Sequence, residues 1–294
     1  MKTSLSQAPT AAANVFANRM RGFDWRSGIL LLISAVAIVG LVCIGPVPQD
    51  PAYHRFVDTR ALFGIRNFWN VVSNLPFLLV GLYGFRRLPY LERPETKAGY
   101  VALCAGILLV GIGSAYYHLS PSTPSLLWDR LPMTVAFMAL LSIVLEERQA
   151  LGSSSRTLWP LLVAGIGAAF YWSWTESLGH GDLRPYIVVQ FLPMVLIPLV
   201  LLLFPGRYLN NTALMFALMW YLVAKAFEQC DRLVFGTIGL LSGHTVKHLL
   251  AGLAVLSVVN AVPAVGKDPS QYTCRRARFA SVQRIADSKS RSLE

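Results

Sequence analysis

The chain has 294 residues, of which 54% are hydrophobic and only 14% charged, and this apolar content exceeds that of an ordinary soluble domain. The four cysteines lack CxxC spacing, which argues against a disulfide framework and against a thiolate metal site. The formal net charge of +11 could indicate a nucleic-acid partner, but the excess lies largely in terminal segments and short loops, where membrane topology explains it better. The composition therefore predicts an integral membrane protein that binds no nucleic acid.

Eight apolar runs have about the length that a bilayer-spanning helix needs. Residues 1–27 precede them and are polar, so we expect a cytoplasmic N-terminal segment. The first run, residues 28–47, is longer than a signal-peptide core and no A-x-A site follows it, which favours a retained helix. The runs are Gly28–Val47, Asn67–Phe85, Ala98–His118, Leu126–Leu145, Leu158–Trp174, Tyr186–Phe204, Thr212–Cys230 and His244–Val262. They predict an all-α, polytopic transmembrane helix bundle.

The basic residues of the loops predict the orientation of the chain. Segments on the N-terminal side of the bundle, which include both termini, carry 18 lysines and arginines, whereas segments on the opposite side carry 5. Because cytoplasmic segments are enriched in Lys and Arg, both termini are expected in the cytoplasm. The tail, residues 267–294, is basic and without apolar periodicity, and we expect it to be disordered. The short loops fit a plasma-membrane protein of a bacterium.

Three side chains that could take part in catalysis or metal binding lie where one apolar run ends and the next begins. Ser114 and His118 are four residues apart and therefore lie on one face of a helix. A Ser/Pro turn follows, and Asp129 starts the returning helix, so the hairpin brings its carboxylate back to the depth of His118. Ionisable groups at such a depth are costly and are usually kept for function. With both termini cytoplasmic, this end of the bundle faces the outer leaflet.

The last run opens with a second motif, in which His244 and His248 are four residues apart and can present two imidazoles to one metal ion. His118 can supply a third ligand from the neighbouring hairpin. Three histidines with an open fourth position suit a catalytic zinc. An HxxxH pair in a membrane helix can also ligate haem or iron, or form hydrogen bonds between helices. We favour a metal site, because ionisable groups within a membrane usually have a functional role.

Together with one upstream motif, these residues form an ordered set: Asn67-Phe68-Trp69-Asn70-x-x-Ser73-Asn74-Leu75, Ser114-x-x-x-His118, Trp128-Asp129-x-Leu131-Pro132-Met133 and His244-x-x-x-His248. In order and spacing the set resembles the alkaline ceramidase family. That family belongs to a wider superfamily of seven-helix membrane hydrolases that includes the adiponectin-type receptors. The resemblance covers about residues 58–263.

The resemblance implies a zinc-dependent amidase that cleaves the N-acyl bond of ceramide-like lipids to a sphingoid base and a fatty acid. Carried over by position, His118, His244 and His248 would hold the zinc. Asp129 would orient or deprotonate the bound water, and Ser114 would donate to the developing oxyanion. Amide hydrolysis needs an activated water, a group that moves its proton and a donor where negative charge develops, so the chemistry of these side chains agrees with those roles. The lipid would reach the site laterally from the bilayer.

The chain departs from the family in two respects. The family has seven helices, so residues 58–263 would form a seven-helix core and residues 28–47 one extra N-terminal transmembrane helix. Eukaryotic members place an acidic residue directly before the Phe-Trp-Asn motif, with further acidic residues upstream, and these together hold calcium. This chain has Asn67 there, and Asp58 is the nearest acidic residue on its N-terminal side. Calcium is therefore a doubtful cofactor here.

Three charged residues recur at every third position near the outer end of the seventh run: Lys225, Glu228 and Asp231. One hypothesis is that Glu228 or Asp231 accepts a histidine N–H and fixes its tautomer. The other is an ion pair that neutralises Lys225 within the bundle. Both hypotheses satisfy the charges, so the sequence leaves them open.

Other polar and aromatic residues have simpler interpretations. Asn70, Ser73 and Asn74 lie on one side of the second run and are expected to bond neighbouring helices rather than substrate. His54 lies in an outer loop with no partner at ligand spacing, so we expect it to be solvated. Three tryptophans near the ends of the fifth run are typical of an interfacial aromatic belt: Trp159, Trp172 and Trp174.

Two alternative functions stay open. A receptor-like or structural membrane bundle could hold zinc without hydrolysis, but such a site has no need of an oxyanion donor and a base. Ser114 and Asp129 are therefore the discriminating residues. Alternatively, the chemistry is the same and the substrate is another N-acyl lipid. Neither acyl-chain preference nor oligomeric state can be inferred from the residues.

Overall fold

A computed structural model describes residues 25–151 and 156–264, and the described chain is a bundle of α-helices. Most of the predicted N-terminal segment and the whole predicted tail, residues 267–294, lie outside the described residues. The α-helices are α1 (Trp25–Cys43), α2 (Phe68–Val72), α3 (Leu75–Arg87), α4 (Lys97–Leu119), α5 (Thr123–Glu147), α6 (Leu158–Ser177), α7 (Arg184–Leu203), α8 (Asn211–Gln229), α9 (Asp231–Ile238) and α10 (Gly243–Ala261). The prediction of an all-α polytopic bundle is confirmed.

Each of the eight predicted spans coincides with helix, within a few residues at its ends. Among the described residues, six helical spans are long and apolar enough to cross a membrane, or seven if α8 and α9 count as one bent span. Helix α6 is 20 residues long but is not one of these six, because three tryptophans and several polar residues dilute its apolar content. Of those tryptophans, Trp159 and Trp174 are exposed as an aromatic belt requires, but the belt prediction is wrong for Trp172, which is 0% exposed.

Two spans are interrupted, and both breaks lie close to the histidines. The second predicted span is divided into α2 and α3 by a turn at Ser73 and Asn74, and Pro76 occupies the first turn of α3. Proline is accepted there because the first N–H groups of a helix have no partner within it. Helix α8 ends at Gln229, and the chain continues at an angle of 78° as the short α9, which the sequence did not predict.

The core of the bundle is the α4–α5 hairpin, since half of each span is buried inside the protein. Helices α3, α4, α5, α7, α8 and α10 surround a central space, and α10 closes the ring by packing on both α3 and α8. Helix α6 packs outside, against α5 and α7, and α1 packs on α7. Only 11% of α1 is buried, so its apolar side chains face outward, as expected for a helix surrounded by lipid.

Capping residues determine where the helices that carry the site begin. Ser122 caps α5 reciprocally: its Oγ accepts from the Ser125 N–H, and the Ser125 Oγ accepts from the Ser122 N–H. Ser242 caps α10 by accepting a hydrogen bond from the Thr245 N–H at 3.2 Å. These caps fix the first turns of α5 and α10. Asp129 of α5 and His244 and His248 of α10 therefore lie at one end of the bundle.

Candidate metal centre and active site

Three buried histidines meet at that end of the bundle, as their spacing predicts. His118 comes from the last turn of α4, and His244 and His248 come from the first two turns of α10. One ring nitrogen from each lies within 4.8 Å of the others, and the three ring centroids are 4.9 Å apart in every pair. The His118 Nε2 and His244 Nε2 atoms are 3.3 Å apart. This is the only such group of potential metal-ligating side chains in the described part of the chain.

The donor set fits a zinc ion. Two nitrogens bound to one tetrahedral zinc at about 2.0–2.1 Å lie about 3.3–3.4 Å from each other. The His118–His244 nitrogen distance of 3.3 Å matches that value. His118, His244 and His248 are 1%, 6% and 4% exposed, so few water molecules can hydrogen-bond to their ring nitrogens. A cation bound between the three rings would accept their nitrogen lone pairs, which otherwise repel one another.

Ser73 sets the tautomer of His248. Its hydroxyl donates to the Asn70 carbonyl oxygen at 3.2 Å, and its Oγ lies 2.8 Å from His248 Nδ1. A hydroxyl has one proton, so when that proton goes to Asn70 the Ser73 oxygen must accept from Nδ1–H. The lone pair of His248 is then on Nε2, the nitrogen that faces the centre. The turn between α2 and α3 thereby orients a candidate ligand.

The other polar residues of the Asn67–Leu75 motif tie neighbouring segments together. Asn70 Oδ1 accepts from the Thr245 hydroxyl at 3.0 Å, and the Asn70 side-chain amide donates to the Asp58 carbonyl oxygen at 3.2 Å. The Asn67 amide donates to the carbonyl oxygen of His118 at 2.8 Å. The expectation that this motif bonds neighbouring helices is met by Asn70, whereas Ser73 also touches a candidate ligand.

The positions considered for calcium make other contacts. Both carboxylate oxygens of Asp58 accept hydrogen bonds from the Arg60 guanidinium, at 2.7 and 2.8 Å. Burial raises the pKa of Asp58, but the bonds from Arg60 outweigh burial and the net pKa is lowered. Asn67 holds the end of α4 as described above. That calcium is a doubtful cofactor stays a prediction.

Ser114 and Asp129 lie together beside the histidines. Ser114 is 3% exposed, and its hydroxyl lies next to the Asp129 carboxylate across the α4–α5 hairpin. The close approach of the two helices depends on Gly113, because a Cβ there would run into the backbone carbonyl of Trp128. Both Ser114 and Asp129 line a cavity of about 530 Å³, which His248 also reaches.

The cavity is polar at one end and apolar along its length. Its apolar walls come from α3, α4, α5, α7, α8 and α10, as illustrated by Phe77, Ile107, Phe137, Ile197, Leu218 and Val258. Its size falls within the range of small-ligand sites, about 300–1,000 Å³. An apolar chamber that ends at a cluster of polar groups suits a long-chain molecule with one reactive polar end.

The two carboxylates at the end of α8 and the start of α9, Glu228 and Asp231, make different contacts. Glu228 forms ion pairs with Lys225 and, at 3.0 Å, with Lys247 of α10, which favours the ion-pair hypothesis for Glu228. Asp231 accepts the backbone N–H of His244 at 2.8 Å and therefore holds the start of α10. Neither carboxylate accepts from a histidine ring. No sequence pattern singled out Lys247, whose ammonium lies 3.1 Å from His244 Nε2.

The segment between α1 and α2 covers the histidines, which the sequence did not predict. The Phe56 ring makes edge contacts with the rings of His118 and His244, with centroids 4.7 Å away in both cases. His54 lies 2.9 Å from the Tyr117 hydroxyl and 3.2 Å from the Thr123 hydroxyl, so the prediction that it is solvated is wrong. Burial, together with the charge of Arg130, lowers the pKa of His54. A neutral imidazole accordingly fastens this segment to the α4–α5 hairpin.

Comparison with known proteins agrees with this architecture. The protein-family model described as Ceramidase matches residues 63–266, which is more than two thirds of the chain and contains all five candidate site residues. No curated protein sequence matches the chain. Helix α1 and most of the segment that covers the histidines precede the matched region. The chain belongs to the Ceramidase family and is therefore an amide-bond hydrolase of the membrane.

Proposed function

We propose that this protein is a zinc-dependent intramembrane hydrolase that cleaves the N-acyl amide bond of ceramide-like lipids to a sphingoid base and a fatty acid. The observation that carries the proposal is the convergence of three buried histidine nitrogens next to a long apolar cavity, which His248 reaches and which Ser114 and Asp129 line. Membership of the family supports hydrolysis of ceramide, and the donor set supports zinc.

His118, His244 and His248 would hold the zinc. When bound, zinc supplies Lewis acidity, which polarises an amide carbonyl and makes water a better nucleophile near neutral pH. The imidazoles are neutral donors, and Ser73 keeps His248 in the tautomer that leaves Nε2 available. The edge contacts of Phe56 keep bulk water away from two of the rings.

Asp129 would take the proton of the attacking water and later give it to the leaving nitrogen. Water adds to the carbonyl carbon while its proton passes to the Asp129 carboxylate. The C–N bond then breaks, and the same proton passes to nitrogen, so the products are a fatty acid and an amine. One carboxylate can serve both steps because it is regenerated at the end of each cycle.

Ser114 would donate to the oxygen on which negative charge develops. Its hydroxyl lies next to Asp129, so in the resting site an ionised Asp129 would engage its only proton. Once Asp129 carries the proton of the water, it can donate to the Ser114 oxygen instead. The Ser114 O–H is then free to turn towards the oxyanion, where such a donor lowers the barrier most.

The substrate would enter sideways from the membrane. Helices α7 and α8 touch each other little, and the cavity lies between them with Phe191 and Met215 half exposed on its walls. An acyl chain can pass from lipid into this apolar space without crossing water. The short loops fit a bacterial plasma-membrane location, and the charge asymmetry of the loops supports both termini in the cytoplasm with the histidines towards the outer leaflet.

Variants of Asp129 and Ser114 test this proposal against a structural zinc site. For Asp129→Asn and Ser114→Ala we expect zinc to be retained and hydrolysis of a long-chain ceramide to fall by about 10²-fold or more for each. Ser257→Ala is the control, since that hydroxyl bonds only the Leu253 carbonyl oxygen on α10. Zinc content and hydrolysis are measured on the same purified sample. Ceramide hydrolysis at the control rate in both variants would remove Asp129 and Ser114 from the mechanism.

A further inference from the structure

The cavity wall holds a buried cation without an anionic partner. Arg130 is 6% exposed, lines the cavity, and follows the candidate base Asp129 in the chain. Its buried Nη1 has no hydrogen-bond partner, and within residues 25–151 and 156–264 no carboxylate lies at ion-pair distance. A buried charge is normally paired, because removing an ion from water is costly.

The acidic groups of the same cavity are engaged elsewhere. Asp129 lies next to Ser114, and Asp50 accepts from the Ala52 N–H at 2.8 Å. Glu228 is held between two lysines. None of these carboxylates forms an ion pair with Arg130, so the guanidinium is left able to pair with an anion from outside the protein.

Three aromatic rings hold the guanidinium in place without using its hydrogen-bond donors. Its Cζ lies 4.3 Å from the Trp172 ring centroid, 4.8 Å from that of Tyr186 and 5.4 Å from that of Tyr53. Cation–π contacts offset part of the cost of burial and leave the N–H groups free. A guanidinium held in this way presents its planar donors to an oxyanion, which it binds with two parallel hydrogen bonds.

The neighbouring wall of the cavity comes from the segment between α1 and α2. Gln49, Asp50 and Tyr53 line the cavity, and all three precede the region that the family model matches. The Gln49 N–H donates to the Glu176 carboxylate at 2.6 Å, which fastens this wall to α6. Its side-chain Oε1 is buried without a partner, so a second free polar group is present in the same cavity.

From this arrangement we propose that Arg130, with Gln49 and Tyr53 beside it, forms a subsite for an anionic headgroup. The preferred substrate is then a ceramide-like N-acyl lipid whose amine portion also carries a carboxylate, phosphate or sulfonate. Arg130 is too deeply buried for the headgroups of the surrounding bilayer to reach, so the anion enters with a molecule that occupies the cavity. The inference rests on the proposed function, since it concerns the substrate of the same site.

A matched pair of N-acyl compounds tests the headgroup directly. N-palmitoylglycine and N-palmitoylethanolamine share the acyl chain and the amide, and differ in whether the headgroup ends in a carboxylate or a hydroxyl. We expect kcat/KM of the full-length zinc-loaded protein to be higher for the glycine compound by about tenfold or more, the usual value of a charge-assisted hydrogen bond. Arg130→Gln should lower kcat/KM for the glycine compound alone, Arg130→Lys should retain part of the preference, and Arg232→Gln, an exposed control, should leave it unchanged.

A binding measurement separates this inference from the proposed function. After zinc is removed with a chelator, thermal stabilisation is measured with N-palmitoylglycine, N-palmitoylethanolamine and palmitate. Stronger stabilisation by the glycine compound in wild type, lost in Arg130→Gln, supports the subsite even if no compound is hydrolysed. Stabilisation by palmitate but not by the glycine compound would assign Arg130 to the released fatty acid and overturn the headgroup proposal. Zinc-dependent hydrolysis of both compounds without preference would overturn the subsite and leave the proposed function intact.

Discussion

Replacing Ser73 by alanine should weaken zinc binding without touching a candidate ligand. The Ser73 Oγ lies 2.8 Å from His248 Nδ1, and as an acceptor from Nδ1–H it directs the Nε2 lone pair to the centre. Loss of such an outer partner typically costs about 10–100-fold in metal affinity. In the variant the Asn70 carbonyl oxygen, which accepts from the Ser73 hydroxyl at 3.2 Å in the wild type, is released and can replace part of the lost contact. We therefore expect the low end of that range, about tenfold, or about 1.4 kcal/mol.

The assay is competition for zinc between the purified protein and a chelator of known affinity. Ser257→Ala is the matched control, because it removes a serine hydroxyl from the helix that carries His248 without affecting a histidine. The ratio of the Ser73→Ala and Ser257→Ala dissociation constants gives the contribution of the Ser73 contact. Equal zinc affinities would refute the tautomer argument, and a complete loss of zinc would show that Ser73 does more than orient one ring.

Two further predictions concern the charges and the packing around the site. Lys247→Met should tighten zinc binding several-fold, because it removes an ammonium 3.1 Å from His244 Nε2, whereas Glu228→Gln should weaken it by leaving that ammonium without its 3.0 Å partner. The same chelator competition measures both, and effects of equal sign would contradict the electrostatic argument. Gly113→Ala should reduce ceramide hydrolysis by at least about tenfold, because a Cβ there meets the Trp128 carbonyl and separates α4 from α5. Gly167→Ala, with nothing within 4 Å, is the control, and equal hydrolysis rates would contradict the packing argument.

Local spacing along the chain predicted most of what lies on single helices. The intervals Ser114 to His118 and His244 to His248 place each pair on one helical face, whatever the rest of the fold does. The hairpin that returns Asp129 to Ser114 follows from one short Ser/Pro turn between two apolar runs. Hydrophobic length alone located the eight helical spans.

Contacts between distant segments could not be predicted in the same way. Phe56 and His54 lie in an irregular loop. Their positions on the α4–α5 hairpin depend on tertiary packing, which the hydrophobic periodicity of the sequence does not predict. Trp172 lies at a helix end, where belts are common, but it packs inward against Arg130. Lys247 falls between two histidines in an apolar run, and only its proximity to Glu228 gives it a role.

The central claim is that the histidine cluster binds zinc and that this zinc is needed to cleave an N-acyl lipid. The most direct test measures metal content and hydrolysis of a fluorescent long-chain ceramide on the same detergent-purified samples of wild type, His244→Ala and the exposed control His180→Ala. We predict about one zinc per chain and fatty acid release for wild type and His180→Ala, and the loss of both for His244→Ala. Zinc bound by wild type without cleavage of the ceramide, or cleavage that persists in His244→Ala, would contradict the account.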